Sequence, residues 1–452
     1  MALDHLQKWL VKDKRLPLVI RGARQVGKTW LVRELARVAG KKLIELNLER
    51  KPEVAAVFSV NDPKEILKRL ASQYGTSIEP ADSILFIDEI QEFPELFAKL
   101  RWFAEDMPEL PVIAAGSLLE FILGKHEMSM PVGRVTFMFL EPLSFEEFLL
   151  ALGKTILVEQ IKEFTWKQGV FELTHVELMK LLKEYVIIGG MPAAVQSWAL
   201  EQSLMEVSNI HHDILQTYRN DFSKYGSRAN PTHLNEVLQA VPQSLGKKFV
   251  YSDVNRAVRH SQIKEALELL VQARICNKVQ ATAANGLPLG AELLHHYTKI
   301  LMLDVGLCSA ALKLSLTDLQ TIEELDLINK GGIAEQVVGQ LLRTIDPVFI
   351  EPELYYWIST EKFASAEIDY VIQQGAIVVP IEVKAGKEGT LKSLHRYMYL
   401  KGRSLAARIN SGPPQNVSVQ VKDTSGNAVQ YELRSVPFYL IGELRRLLES
   451  NP

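Results

Sequence analysis

The chain reads as an α/β protein, and three observations set that class. An apolar strand, Leu18-Val19-Ile20, runs into the loop Gly22-Ala23-Arg24-Gln25-Val26-Gly27-Lys28-Thr29 and then into a helical pattern, the setting of a phosphate-binding loop. A second apolar run, Ile84-Leu85-Phe86-Ile87, ends in Asp88-Glu89, as a buried parallel strand does where its carboxyl end opens onto a site. In the last third, strand patterns at 367–372 and 377–384 carry Asp369, Glu382 and Lys384 at strand spacing. A length of 452 residues predicts two to four domains, each long enough for its own core. The expected divisions are a P-loop core at 1–143, a helical lid at 144–228, a winged-helix segment at 229–309 and a C-terminal α/β domain at 310–452.

Composition narrows the partners. Charges nearly balance, with a formal net charge of −3 and a pI near 6.4, so no global positive field draws the chain to nucleic acid or acidic lipid, and any such binding is local. Two cysteines, Cys276 and Cys308, supply neither a disulfide framework nor a cysteine-rich metal site and fit a reducing cytoplasm. The first residues lack a signal-peptide core, and no apolar run is long enough to span a bilayer.

Within the core, Leu6, Leu10 and Val11 predict a short N-terminal helix ahead of the first strand. Gly22 and Gly27 let successive backbone amides converge on one spot, and the following helix adds its unpaired N-terminal amides and positive dipole end. An anion belongs there. Residues 22–29 and Trp30 are the expected nucleotide contacts. Lys28 would reach the β- and γ-phosphates and Thr29 would hold Mg²⁺. Leu31, Leu35 and Val38 share one face of the helix, which meets a stop at Gly40. A strand at 43–47 follows. Asp88 would orient Mg²⁺, and Glu89 would polarise the attacking water as general base. The run Val112-Ile113-Ala114-Ala115 ends in Gly116-Ser117. Ser117 reads as a γ-phosphate sensor, as the N-cap of the next helix, or as both. Arg134, before the strand at 135–140, would either approach a phosphate of its own or of a neighbouring subunit, or be a salt-bridged surface group.

These motifs resemble the prokaryotic AAA-type ATPases whose C-terminal half is a domain of unknown function. The residues that carry the likeness are the phosphate loop, Leu85-Phe86-Ile87-Asp88-Glu89-Ile90-Gln91, Ala115-Gly116-Ser117, and Gly133-Arg134 followed by Leu140-Glu141-Pro142-Leu143-Ser144-Phe145-Glu146-Glu147-Phe148. The resemblance implies an additional-strand, catalytic-glutamate P-loop NTPase with ATP and Mg²⁺ as its ligands, in agreement with the role argued for Glu89.

Ser144 and Glu147 form a capping-box pattern opening a helix with Phe145, Phe148, Leu149 and Leu152 on its inner side. Helical spacing runs to Val186 and stops at Gly189-Gly190-Met191-Pro192, a breaker cluster expected to mark a hinge or boundary. His211-His212 are adjacent on a helix and diverge too far to share a metal. From 231 to 298 three helices and a hairpin across Asn285-Gly286 give a winged-helix pattern. Its third helix carries Lys264 with Glu265 and Glu268, and those acids oppose phosphate. Lys247, Lys248, Arg256, Arg259 and His260 could still form a nucleic-acid patch.

In the C-terminal segment, Glu382 and Lys384 share a strand face while Ile381 and Val383 pack the other way. Asp369 comes from the neighbouring strand. Two carboxylates holding Mg²⁺ or Mn²⁺ beside a lysine suit phosphodiester cleavage. The set resembles the PD-(D/E)xK nuclease superfamily, a restriction-endonuclease-like α/β fold, and Glu335 fits the acid often found on that superfamily's first helix. Pro380 departs from a central ladder.

Two functional expectations follow. In one, Mg-dependent ATP hydrolysis drives a nuclease-like module in DNA or RNA processing. In the other, the chain is a nucleotide-controlled switch whose catalytically inactive C-terminal module docks a protein partner. Oligomerisation is compatible with either.

Overall fold

Alternation of strand side chains between two faces decides how the first sheet is buried. In the computed structural model, which describes residues 2–123, 133–223, 230–314, 330–359, 366–386 and 390–449, the strands β1 (Leu18–Arg21), β2 (Lys42–Asn47), β3 (Ser83–Asp88), β4 (Val112–Gly116) and β5 (Thr136–Phe139) form one sheet in the order β2-β3-β4-β1-β5. All its pairs are parallel. Val19, Leu85, Ile87 and Ala114 face one core with Phe97, Leu100 and Phe103. Leu18, Ile20, Phe86 and Ile113 face the other with Leu31, Val32 and Leu35. Strand β3 is buried at every position, which is why it reads as a continuous apolar run. Helices α1 (Ala2–Leu10), α2 (Lys28–Ala39), α3 (Pro63–Tyr74), α4 (Leu96–Asp106) and α5 (Leu119–Leu123) complete this region. It forms one unit, Met1–Glu141, joined by two later segments, Gln272–Arg274 and Pro347–Glu351.

The second unit comprises Pro142–Val271, Ile275–Asp346 and Pro352–Pro452. Its helices begin with α6 (Phe145–Ala151), where Ser144 Oγ accepts from Glu147 N and the Glu147 carboxylate accepts from Ser144 N, the capping box expected there. Then come α7 (Thr155–Glu163), α8 (Glu172–Ile188), α9 (Pro192–Glu201), α10 (Leu204–Asp221), α11 (Pro231–Ala240), α12 (Tyr251–Val254) and α13 (His260–Gln272). His211 is buried against the Ile188 carbonyl at 3.0 Å, whereas His212 is exposed.

After α13 the hairpin β6 (Cys276–Thr282) and β7 (Leu293–Met302) leads to α14 (Val305–Ala311), α15 (Lys330–Leu342), β8 (Leu354–Ile358), β9 (Glu367–Gln374) and β10 (Ile377–Val383). The chain ends with α16 (Lys392–Lys401), β11 (Leu405–Asn410), β12 (Gln415–Lys422), β13 (Ala428–Pro437) and α17 (Leu444–Leu447). The eight strands form one mixed sheet, β12-β13-β11-β10-β9-β8-β6-β7.

Sheet pairing crosses the boundary expected at 309/310. The hairpin read as a wing is the end of the C-terminal sheet, because β6 pairs in parallel with β8 from Val279↔Leu354 to Thr282↔Trp357. A wing would have left that strand edge open; pairing with β8 satisfies its backbone groups. Pro380 is accommodated because the β10–β11 ladder begins one residue later, at Ile381↔Ala407, where its missing N–H costs no bond.

The glycine pair after α8 is pinned in place. A Cβ on Gly190 would lie 2.2 Å from the Leu143 carbonyl oxygen, and Leu143 N donates to Gly190 O at 2.7 Å. Fully buried Asp304 accepts from Gly190 N (2.6 Å), Leu307 N (3.1 Å) and Gln340 Nε2 (3.0 Å). One carboxylate thus ties the α8–α9 turn to α14 and α15, where a hinge was expected. Among the described residues no helix is long and apolar enough to cross a membrane. Asp304→Ala orphans these buried donors and should cost about 3 kcal/mol. Urea denaturation of the full chain reads that loss, and an unchanged midpoint would refute the pinning.

Candidate functional site

The carboxyl ends of β1, β3 and β4 bring the N-terminal site together. The strands lie in register, with Arg21 beside Gly116 and Asp88 beside Ala115. Gly22 therefore leaves β1 where Asp88-Glu89 leaves β3 and Ser117 leaves β4. A Cβ on Gly22 would sit 2.5 Å from the Leu140 carbonyl oxygen, so only glycine lets the loop lie this close to the chain leaving β5. Gly27 adopts φ +96° and opens α2 without a side-chain cap. The first-turn amides of a twelve-residue helix are thereby left to an outside acceptor.

Lys28 is buried and donates to the carbonyls of Gly22 (2.9 Å) and Ala23 (2.7 Å). Burial lowers its pKa to about 8, against the raising influence of Glu89 and Asp88. Thr29 Oγ1 donates to Asp88 Oδ2 at 3.0 Å. Burial, then the Glu89 charge, raises the Asp88 carboxyl. Gln25 and Glu89 hold left-handed backbone angles, φ +66° and +53°, a strain that folds keep where side-chain direction matters. Trp30 is largely exposed, at 65%.

Glu89 is held by groups around it. Its Oε2 accepts from Ser117 N (3.2 Å), Ser117 Oγ (3.1 Å) and Gln91 Nε2 (2.5 Å). Arg24 Nε donates to the same Ser117 hydroxyl at 2.9 Å. Gln91 had been read only as part of a motif. Its carbonyl oxygen would lie 2.0 Å from a Cβ on Gly116, so the glycine before Ser117 makes room for it.

Arg134 stands apart from this group. It precedes β5, whose Thr136 pairs with Leu18 at the opposite end of β1 from Gly22. Its Nε donates to Glu105 at 2.7 Å. A different arginine, which sequence reasoning missed, stands in this unit. Arg274, at φ +58°, pairs with Glu120 (2.8 Å) and Glu351 (2.5 Å) and lies 3.8 Å from Glu141. Arg21 shares Glu120 and stacks over Phe139. Arg274 also depresses the Lys28 pKa, as a nearby positive charge does.

The donor set fits a magnesium nucleotide: uncapped amides, a lysine tied only to neutral carbonyls, and a hydroxyl and carboxylate side by side. Among the described residues no three His, Cys, Asp or Glu side chains form a metal-holding group.

The C-terminal residues also converge, around a group the sequence reading missed. Lys299 on β7 is 2% exposed. Its Nζ donates to Glu335 Oε2 at 2.9 Å, pairs closely with Glu367, and lies 3.9 Å from Asp369 Oδ1. Asp369 Oδ2 accepts from Val383 N at 2.7 Å. Lys384 donates to Glu382 Oε1 at 2.7 Å, and Glu382 Oε2 is buried without a hydrogen bond. Burial and the Asp369 charge raise Glu382 to about 7 and Glu335 to about 8, while the surrounding carboxylates hold Lys299 protonated. The second unit also has a groove of about 450 Å³ lined by Lys248, His260, Lys264 and Lys278. Glu268 lines it too and takes up the Lys278 charge at 2.5 Å.

The first unit is similar in strand order and loop to the AAA-type P-loop NTPases. Residues 14–149 match the family model described as an AAA domain. Residues 179–318 and 330–424 match two domains of unknown function, DUF8612 and DUF4143. No curated protein matches the chain. Among solved structures, the Aeropyrum pernix Orc1 protein in complex with DNA is 13% identical, covering 69% of this chain and 91% of its own, with a TM-score of 0.29.

Glu120→Ala would remove the more buried of the two carboxylates that Arg21 and Arg274 share, leaving only Glu351 between them, and should destabilise the chain by about 3 kcal/mol. Thermal or urea melts read this; a loss no larger than at an exposed ion pair would show the cluster to be superficial.

Proposed function

We propose that the chain binds and hydrolyses ATP with Mg²⁺, and that the nucleotide state controls what the second unit binds. The observation that carries this reading is the Glu89–Ser117–Arg24 chain of hydrogen bonds beside the phosphate loop. Residues 22–30 would cradle the nucleotide, with the α2 amides and Lys28 on its phosphates. Thr29 and Asp88 would hold Mg²⁺, which when bound neutralises charge on the phosphate oxygens. Glu89 accepts the proton of the attacking water. Ser117 and Gln91 hold the glutamate in line, and Arg24 links that hydroxyl to the loop, so that loading of the loop is sensed at Glu89. Arg134 faces away from its own loop, which leaves it the role of a surface ion pair or of a group offered to a neighbouring subunit.

For the output, nuclease action and partner docking remain the two readings. Lys299 amid Glu335, Glu367 and Asp369 favours docking, because those carboxylates already have a cation.

Lys28→Ala should abolish ATP binding, whereas Glu89→Gln should keep binding and lose turnover by at least about a hundredfold. Nucleotide titration and phosphate release separate the two, and equal affinity in wild type and Lys28→Ala would sink the proposal. A pH dependence follows as well. Lys28 has a pKa near 8 and must be charged to meet phosphate, so affinity should fall as pH rises through that value, by about tenfold between pH 7 and 9. A Kd flat across that range contradicts the assignment.

A further inference from the structure

The PD-(D/E)xK resemblance implies a divalent metal held by Asp369 and Glu382, but the residues around that pair do not fit one. The structure assigns Lys299 as the built-in cation of this carboxylate set, occupying with its ammonium the place a metal would need. The inference stands on the second unit alone and does not depend on ATP hydrolysis in the first.

A divalent ion of the magnesium or manganese class takes six oxygen ligands in near-octahedral array and usually keeps several waters. Here one oxygen of each of the four carboxylates already faces a cation or an amide. Glu335 Oε2 accepts from Lys299 at 2.9 Å, Glu367 pairs with the same Nζ, and Asp369 Oδ1 faces it at 3.9 Å. Asp369 Oδ2 is taken by Val383 N and Glu382 Oε1 by Lys384. Glu382 Oε2 and Asp369 Oδ1 are left without a hydrogen bond, but Oδ1 faces the Lys299 ammonium at 3.9 Å, so a metal bridging the two would sit against that charge.

The lysine cannot simply swing away to admit metal. It is 2% exposed and its Nζ lies 5.1 Å from the Tyr356 ring centre, so it is packed as well as paired. It also reaches two elements from β7: Glu335 on α15, and Glu367 and Asp369 on β9. Placing a second, doubly charged cation beside it would set like charges against each other in a poorly screened interior. The arrangement is a structural ion-pair centre that ties the outer hairpin to the middle of the sheet, and a module built this way cleaves no phosphodiester through metal.

The test uses full-length protein carrying Lys28→Ala, so that the phosphate loop contributes no Mg·ATP site, without nucleotide. Mn²⁺ binding is followed by the paramagnetic signal of the free ion, and cleavage is assayed on single-stranded, duplex and branched DNA and on RNA. The expected result is no Mn²⁺ uptake by the otherwise wild-type chain and no cleavage. Lys299→Met keeps the side-chain bulk and removes the charge. It should lower the melting temperature, gain Mn²⁺ uptake that Asp369→Asn removes again, and recover stability when Mn²⁺ is added, while Lys299→Arg gains none. Mn²⁺ bound with Lys299 in place and lost in Asp369→Asn overturns the inference, as does a Lys299→Met chain that matches its parent in melting and in metal uptake. The Lys299-containing protein decides the matter even if Lys299→Met fails to fold. Because none of these measurements involves ATP, their outcome is separable from the fate of the ATPase proposal.

Discussion

The register of three parallel strands governs the N-terminal unit. Ile20, Ala115 and Asp88 occupy neighbouring positions on β1, β4 and β3, so the three chain segments leave the sheet at one level. The consequences are steric as well as chemical. The first glycine must clear the Leu140 carbonyl, the glycine before Ser117 must clear Gln91, and both close approaches exist because the strands end together. The same register sends Arg134 to the far end, since β5 enters the sheet where β1 does. Chain direction alone separates the residues that gather at the loop from the one that does not.

Within each unit, buried charge is compensated by long-range partners. Glu120 holds Arg21 and Arg274, Asp304 holds the Gly190 amide, and Lys299 holds Glu335 and Glu367. Such pairs are poor contributors of net stability but costly to break, because the survivor is left charged and dry. Their value is positional. Asp304 converts a glycine pair that could have flexed into a fixed turn.

Legibility in the sequence follows sequence distance. The phosphate loop, the Asp88-Glu89 strand end and the Ser144 cap were readable because each is written within ten residues and rests on local backbone geometry. Arg274 and Lys299 carry no such mark. Arg274 meets Glu120 across 154 positions and Lys299 meets Glu335 across 36, and nothing in a lysine on an alternating strand announces that its tip is buried. The hairpin was mistaken for a wing for the same reason. Three helices and two strands are the same string whether the hairpin stands alone or joins a sheet, and the strand that decides, β8, begins about eighty residues after β6 starts. The groove beside Lys248 shows the limit from another side, since Glu268 cancels one of its lysines through a contact between helix and strand.

The two candidate sites differ in how their charge is closed, and that difference bears on what each can do. At the phosphate loop α2 begins without a side-chain cap, and Lys28 is tied to the neutral carbonyls of Gly22 and Ala23. Such a site gains electrostatically when an external polyanion arrives, because the desolvation of its lysine has already been met on folding. In the C-terminal set the carboxylates close on Lys299 and Lys384, so an external cation must first displace an internal one. Under the proposed function, such a chain would take its chemistry from a nucleotide and use the larger sheet as structure. That asymmetry, more than the presence of acidic residues at familiar spacing, is the reason the proposed chemistry is assigned to the ends of β1, β3 and β4.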